Sequence, residues 1–215
     1  MKGMVGIIDY KAGNIKSVER ALAALGCQYI IADRPQDLEG ASRLIFPGVG
    51  DARYAMEQLR LSGFDSFLRE KVAQQVPVLG ICLGSQIVFD FSEEGDTPCL
   101  GLIPGTIRHF SSIKKDFSLK VPHMGWNNLQ YRNGGSDPIF SGINDSQSYY
   151  FVHSYVIQPE DESVIVATAD YGITVPAAVR KGSLVAVQFH PEKSGEPGLR
   201  LLRNFCLCGE GGLSC

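Results

Sequence analysis

The sequence predicts an α/β protein, an open mixed sheet flanked by helices with a β-rich second half. Three observations predict it. Short β-rich runs alternate with segments of helical apolar period over the first ninety residues. Residues 76–81 form an apolar run of the kind buried on both faces of a parallel sheet. From Gly105 onward the pattern changes to short strands separated by Gly, Pro and Asn turns.

Taken in order, residues 5–9 read as the first strand. Asn14 is placed to cap a helix on which Ile15, Val18, Ala21, Leu22 and Leu25 recur at helical spacing, and Gly26 to end it. Residues 29–32 and 43–46 read as strands, the second running straight into Pro47-Gly48-Val49-Gly50, and helical patterns follow at 52–61 and 64–74. After the strand at 76–81 a helix is expected over 83–91. Strands linked in this way have right-handed crossovers and helices on both sheet faces. The second half predicts strands at 106–110, 126–131, 149–155, 164–171, 177–180 and 184–189, antiparallel in part. A last helix over 198–207 carries Leu201, Leu202 and Phe205 on one side. No repeat and no linker interrupts the chain, so residues 1–208 read as a single domain and 209–215 as a fraying, glycine-rich tail.

The chain has 215 residues, 44% of them hydrophobic and 20% charged, a globular composition that excludes a disordered or collagenous protein. A net charge of −3 offers no field to a polyanion, so nucleic acid is not an expected partner. No apolar stretch approaches the ~20 residues of a membrane span, and no export signal is recognisable. The six cysteines have no framework spacing, which predicts reduced thiols and a cytoplasmic location, with the Asn144-Asp145-Ser146 sequon a coincidence. Cys206-x-Cys208 with Cys215 lacks the partners of a tetrahedral site, so neither metal nor cofactor is expected.

Gly80-Ile81-Cys82-Leu83-Gly84 lies between a buried strand and a helix and has the pattern of a nucleophile elbow. A strand-to-helix turn this tight strains the middle residue, and side chains two positions either side would collide, hence the glycines. The helix start at Leu83 favours a thiolate and offers its amide to a developing oxyanion. The plain alternative is a small buried cysteine beside a tight turn. A thiolate needs a base, and among His109, His123, His153 and His190 the last stands out. It ends a strand, Pro191 restricts the turn, and Glu192 can orient the imidazole, giving a Cys82-His190-Glu192 triad. A surface His beside Pro and an acid is the plain alternative here. Phe46-Pro47-Gly48-Val49-Gly50 ends another strand on the same carboxyl edge, where the Val49 amide is the natural second oxyanion donor.

GICLGSQ around Cys82 and FHPEKS around His190 resemble the two signatures of the class I (triad) glutamine amidotransferases. IDYKAGNIKSV at 8–18, FPGVGDA at 46–52, VPHMGWN at 121–127 and YFVHSY at 150–155 narrow the resemblance to the glutaminase subunits of imidazole glycerol phosphate synthases. It covers essentially the whole chain. The resemblance implies a single glutamine amidotransferase domain with a flavodoxin-like core, Cys82 as nucleophile, His190 as general base then acid, and Glu192 as its orienting partner. It also implies L-glutamine lying against Gly50 and Gln86, its amino-acid end held by the backbone around Ser154 and Tyr155. The partner it implies is a (β/α)₈-barrel cyclase in a heterodimer of histidine biosynthesis, with Asn14, His123, Trp126, Tyr150 and Lys193 at the contact or along the ammonia passage.

Plain alternatives are Trp126 as a core filler, Tyr150 in strand packing and, among the candidate bases, His153 as a hydrogen-bonded core histidine. Lys11 departs from the family, which commonly has glycine there, and is expected to place a charge beside the mouth. Other readings are a related glutaminase feeding a different synthetase, such as one that modifies sugars, a standalone cysteine-dependent hydrolase, or a non-catalytic binding module.

Overall fold

The structure, a computed structural model, describes residues 3–207. β1 (Val5–Ile8) leads to α1 (Ile15–Ala24), β2 (Tyr29–Ala32), β3 (Arg43–Gly48), the paired helices α2 (Ala52–Ser62) and α3 (Phe64–Ala73), and β4 (Val78–Cys82). A single turn, α4 (Leu83–Gln86), precedes β5 (Phe91–Ser92), β6 (Thr97–Pro98), β7 (Gly105–His109) and α5 (Phe110–Ile113). Then come β8 (His123–Asn128), β9 (Gln130–Tyr131), β10 (Ser148–His153), β11 (Tyr155–Pro159), β12 (Ile165–Asp170), β13 (Thr174–Lys181), β14 (Leu184–Val187) and α6 (Gly195–Leu207).

The main sheet runs β2-β1-β3-β4-β14-β13-β12-β9. Its first five strands are parallel and the remaining pairs antiparallel, so the sheet is mixed as expected. β3, β4 and β14 are buried along their whole length, which explains their near-continuous apolar sequences. Val18, Ala21 and Leu22 of α1 join Leu201, Leu202 and Phe205 of α6 in the core on one face. Met56 and Leu59 of α2 and Phe64, Phe67 and Leu68 of α3 fill the core on the other. Two smaller sheets, β10-β8 and β11-β7-β5-β6, complete the β-rich half.

Several local expectations change. The helix expected over 83–91 stops after one turn: the Asp90 amide, which a continuing helix would give to Gln86, donates to the Gly105 carbonyl at 3.1 Å, and the Ile87 carbonyl accepts from the Leu100 amide at 2.9 Å. The strands expected at 126–131 and 149–155 are each interrupted, at Leu129 and at Ser154. Asn14 stands at the start of α1 but its side chain makes no capping bond. Gly26, at φ +64°, follows the helix as expected. The tail expected at 209–215 lies outside the described residues, as do Cys208 and Cys215. No helix among the described residues is long and apolar enough to cross a membrane.

Candidate active site

Three neighbouring parallel strands deliver the site to one sheet edge: β3 ends in the Gly48–Gly50 loop, β4 ends in Cys82, and β14 leads three residues later to His190. Cys82 has φ 54° and ψ −112°, a sparsely populated conformation for a side-chain-bearing residue. The Ser85 hydroxyl donates to the Cys82 carbonyl at 2.6 Å and closes the turn. The flanking glycines are required by close approach. A Cβ on Gly84 would lie 2.1 Å from the Phe46 carbonyl oxygen, and one on Gly80 would lie 2.9 Å from that of Gly84. The elbow is therefore pressed against β3, and its sulfur lies in the wall of a cavity of about 300 Å³.

His190 and Glu192 are both almost wholly buried, and His190 Nδ1 donates to Glu192 Oε1 at 2.7 Å. That bond leaves Nε2 as the free ring nitrogen, and it has no hydrogen-bond partner of good geometry among the described residues. Burial opposes the charged imidazole, but Cys82 and Glu192 outweigh it and carry the His190 pKa up to about 9. The backbone is held too: the His190 amide donates to the Tyr150 carbonyl at 2.9 Å. The Ser194 hydroxyl donates to the His190 carbonyl at 2.6 Å and accepts from the Tyr150 amide at 3.0 Å. α6 rests directly on this turn, since a Cβ on Gly198 would meet the Pro191 carbonyl oxygen.

Val49, Gly50, Leu83, Gln86, Ser154, Tyr155 and Lys193 line the same cavity as Cys82 and His190. Val49 lines the cavity in a conformation that engages its amide elsewhere. Its amide donates to the Ala12 carbonyl at 3.0 Å, so in this conformation it is not available to an oxyanion. The helix-dipole part of the Leu83 reading is corrected: one turn has little macrodipole, and what it can contribute is the local amide. Both protons of the Gln86 side-chain amide are engaged, by the Tyr155 carbonyl at 3.1 Å and by Gln188 Oε1 at 2.8 Å.

Asn14, His123, Trp126 and Tyr150 do not line the cavity. Trp126 is 61% exposed, which excludes the core-filler alternative, and it packs edge-on against Tyr150 at 5.9 Å. With Met124, also exposed on β8, it forms an apolar surface. His123 is 2% exposed, so it is not a contact residue on that surface, because the alternation of β8 turns it inward while Met124 and Trp126 face out. It stacks on Phe151 and Tyr171, and its Nδ1 lies 2.9 Å from His153 Nε2. His153 Nδ1 donates to the Tyr155 carbonyl at 2.7 Å, so a neutral His153 accepts at Nε2 and His123 donates to it. Burial lowers both, His123 to about 4 and His153 to about 3. Lys11 adopts φ +66° and pairs with Asp9 and Asp33 at 3.2 and 3.3 Å, so its charge is neutralised locally.

The sequence reading missed Ser194, Gln188, Glu94 and the Val152 carbonyl, towards which the Cys82 thiol lies at 3.8 Å. Ser194 stands inside the FHPEKS segment, a signal that was there to be used. Glu94 also lines the cavity, accepts from the Ala52 amide at 2.9 Å, and has its pKa raised mainly by burial. Nothing in the spacing of Glu93-Glu94-Gly95-Asp96 singled it out.

The family model for Glutamine amidotransferase class-I matches residues 6–208. The imidazole glycerol phosphate synthase subunit HisH of Geobacillus kaustophilus is 46% identical over 94% of this chain and 95% of its own length. The HisH subunit of Nitratidesulfovibrio vulgaris strain Hildenborough is 48% identical over 94% and 95%. Among solved structures, a glutamine amidotransferase crystal structure has a TM-score of 0.72 at 24% identity, covering 94% of this chain and 97% of its own. PurLQS from Thermotoga maritima has a TM-score of 0.71 at 18% identity over 95% of this chain and 98% of that one. These two establish the fold alone. A strained elbow cysteine, a carboxylate-held histidine just past the adjacent strand and near-complete coverage agree: the chain belongs to the class-I glutamine amidotransferases, in the HisH group.

Proposed function

We propose that this chain is the glutaminase subunit of an imidazole glycerol phosphate synthase, hydrolysing L-glutamine and passing the ammonia to a (β/α)₈-barrel cyclase in histidine biosynthesis. The observation that carries it is the His190 imidazole, placed between a buried carboxylate and an elbow thiol and raised in pKa by both. Such a pair supplies a nucleophile and a proton donor. The Cys82 thiolate attacks the side-chain amide carbon of glutamine. The His190 imidazolium then protonates the departing nitrogen, the C–N bond breaks, and ammonia leaves a glutamyl thioester. Water, deprotonated by His190, attacks the thioester, releasing glutamate and restoring the thiolate.

Glutamine fits with its amide at Cys82 and its amino-acid end against Gly50, Gln86, Ser154 and Tyr155. The Glu94 carboxylate in the cavity wall is suited to its ammonium group. Two amides, of Leu83 and Val49, serve the oxyanion, and each such donor is worth ~2.7–4 kcal/mol of barrier. Because the Val49 amide is engaged by Ala12, the Gly48–Val49 peptide has to turn before full catalysis. The lone chain therefore rests in a slow state that docking of the cyclase relieves. The exposed pair Trp126 and Met124, with Tyr150 beside them and Lys193 at the cavity wall, offers the docking face, and Asn14 lies next to the Ala12 segment that restrains Val49. We take residues 1–208 to act as one glutamine amidotransferase domain, working in the cytoplasm.

The test uses the assembled pair. Cys82→Ala abolishes glutamine-dependent product while the same complex still turns over with an ammonium salt. Equal loss of both activities, or a lone chain that hydrolyses glutamine at the rate of the complex, refutes the division of labour.

A further inference from the structure

We propose that Tyr10 is a positioning residue for the oxyanion loop: its hydroxyl, buried without a partner beside Gly48, receives the Gly48 carbonyl when the Gly48–Val49 peptide turns its amide toward Cys82. The inference rests on the glutaminase reading of the site.

Tyr10 follows β1 and is 1% exposed, its ring packed at 5.2 Å against Phe46 of β3. Its hydroxyl makes no hydrogen bond among the described residues. Buried polar atoms nearly always have a partner, so an orphaned phenol in a well-packed interior calls for a reason. The hydroxyl's position supplies one. A Cβ on Gly48 would lie 2.5 Å from it and 2.7 Å from the Gly84 amide nitrogen, so Gly48 of the oxyanion loop packs closely against both the hydroxyl and the elbow. Burial, with a smaller effect from Cys82, raises the phenol pKa further and keeps it a proton donor.

The hydrogen bonds around the peptide now account for one another. In the resting arrangement the Val49 amide is satisfied by Ala12 and the Tyr10 hydroxyl is not. Turning the peptide about its long axis exchanges the directions of N–H and C=O. The amide then faces the elbow, and the Gly48 carbonyl swings toward the 10–12 segment, where the Ala12 carbonyl would repel it. A carbonyl moved into a buried place needs a donor, and the Tyr10 hydroxyl is one with no other engagement. Each state satisfies one of the two donors, so the states lie close in free energy and a docking partner can tip them. Glycine at position 48 is required by the same contact, because any side chain there would occupy the space of the hydroxyl.

The experiment is Tyr10→Phe in complex with the cyclase, with four readings: kcat and KM for glutamine, the thermal midpoint, and the rate at which iodoacetamide alkylates Cys82. Alkylation needs the elbow but no oxyanion donor. The expected result is kcat lowered about tenfold, the size of one buried hydrogen bond, with KM within about twofold. The midpoint stays unchanged or rises, since the variant removes an unsatisfied polar atom from the resting state, and alkylation keeps the wild-type rate. Wild-type kcat in the variant overturns the proposal. A fall in kcat accompanied by a lower midpoint and slower alkylation overturns it too, as that pattern marks general disruption. A wild-type complex with no glutaminase activity overturns the reading of the site itself, and the role of the hydroxyl with it.

Discussion

Gly84→Ala puts a single methyl group between the elbow and its neighbouring strand. The added Cβ would lie 2.1 Å from the Phe46 carbonyl oxygen, where real contacts of this kind essentially never fall below 3.0 Å. The obstacle is backbone on a buried strand, so no side chain can rotate away, and β3 and β4 have to separate by about 0.9 Å at the elbow. Overpacking of this kind costs about 1–3 kcal/mol, and in a chain of this size each kcal/mol lowers the thermal midpoint by about 2–4 °C. The effect on chemistry is larger, because Cys82 sits two residues from the insertion. A displacement near 1 Å between nucleophile and base lowers the rate by about a hundredfold. The assay is glutamine hydrolysis in the cyclase complex alongside thermal unfolding, with Gly40→Ala as control, since a Cβ there meets nothing within 4 Å. If Gly84→Ala keeps its midpoint and half its activity, the steric account of the elbow is wrong.

Other outcomes follow from the charges around the site. Glu192→Gln removes the carboxylate 2.7 Å from His190 Nδ1, and glutaminase turnover falls by about a thousandfold or more. In the wild type, a His190 pKa raised to about 9 contributes stability that is complete below about pH 6.5 and is lost as pH rises through 9. The variant shows a smaller alkaline loss in thermal scans, and an identical loss contradicts the assignment. His123 and His153 have the opposite sign: lowered to about 4 and about 3, they stabilise the fold fully above pH ~6.5 and less as pH falls through those values. His123→Gln makes that acid limb shallower, and an unchanged slope places the loss elsewhere. At mildly alkaline pH iodoacetamide labels Cys82 before Cys99, whose thiol burial pushes up to about 12, and before Cys206, raised by its contact with Cys27 and by burial. Peptide mapping that finds Cys99 or Cys206 first removes the basis for treating Cys82 as the reactive thiol.

Much of the fold was legible because its signals are local. The apolar runs of β3, β4 and β14 reflect burial on both faces, and the helical period of α1 and α2 reflects burial on one. The helix expected over 83–91 failed for a non-local reason: the Asp90 amide and the Ile87 carbonyl, which would continue it, are taken by Gly105 and Leu100, more than ten positions later. Cys82, His190 and Glu192 were readable because tight turns demand glycine and proline at fixed offsets from the functional residue. Ser194, Glu94 and Tyr10 were not read, since a hydroxyl or carboxylate acquires its role from what lies across the fold. Whether His123 faces the surface or the interior was not readable, because its motif says nothing of which face of β8 it takes, and the pairing of β8 with β10 decides that.

Residue order was enough to name a thiol on a sharp bend, a histidine with its carboxylate, and the class of chemistry they perform, because those requirements are written within a few positions of each residue. Whether the Val49 amide is free, which aromatic groups face water, and which buried hydroxyl lacks a partner all required the folded chain. Each depends on contacts between segments that meet only when the sheet forms, as when the Ala12 carbonyl reaches the Val49 amide across 37 positions of sequence.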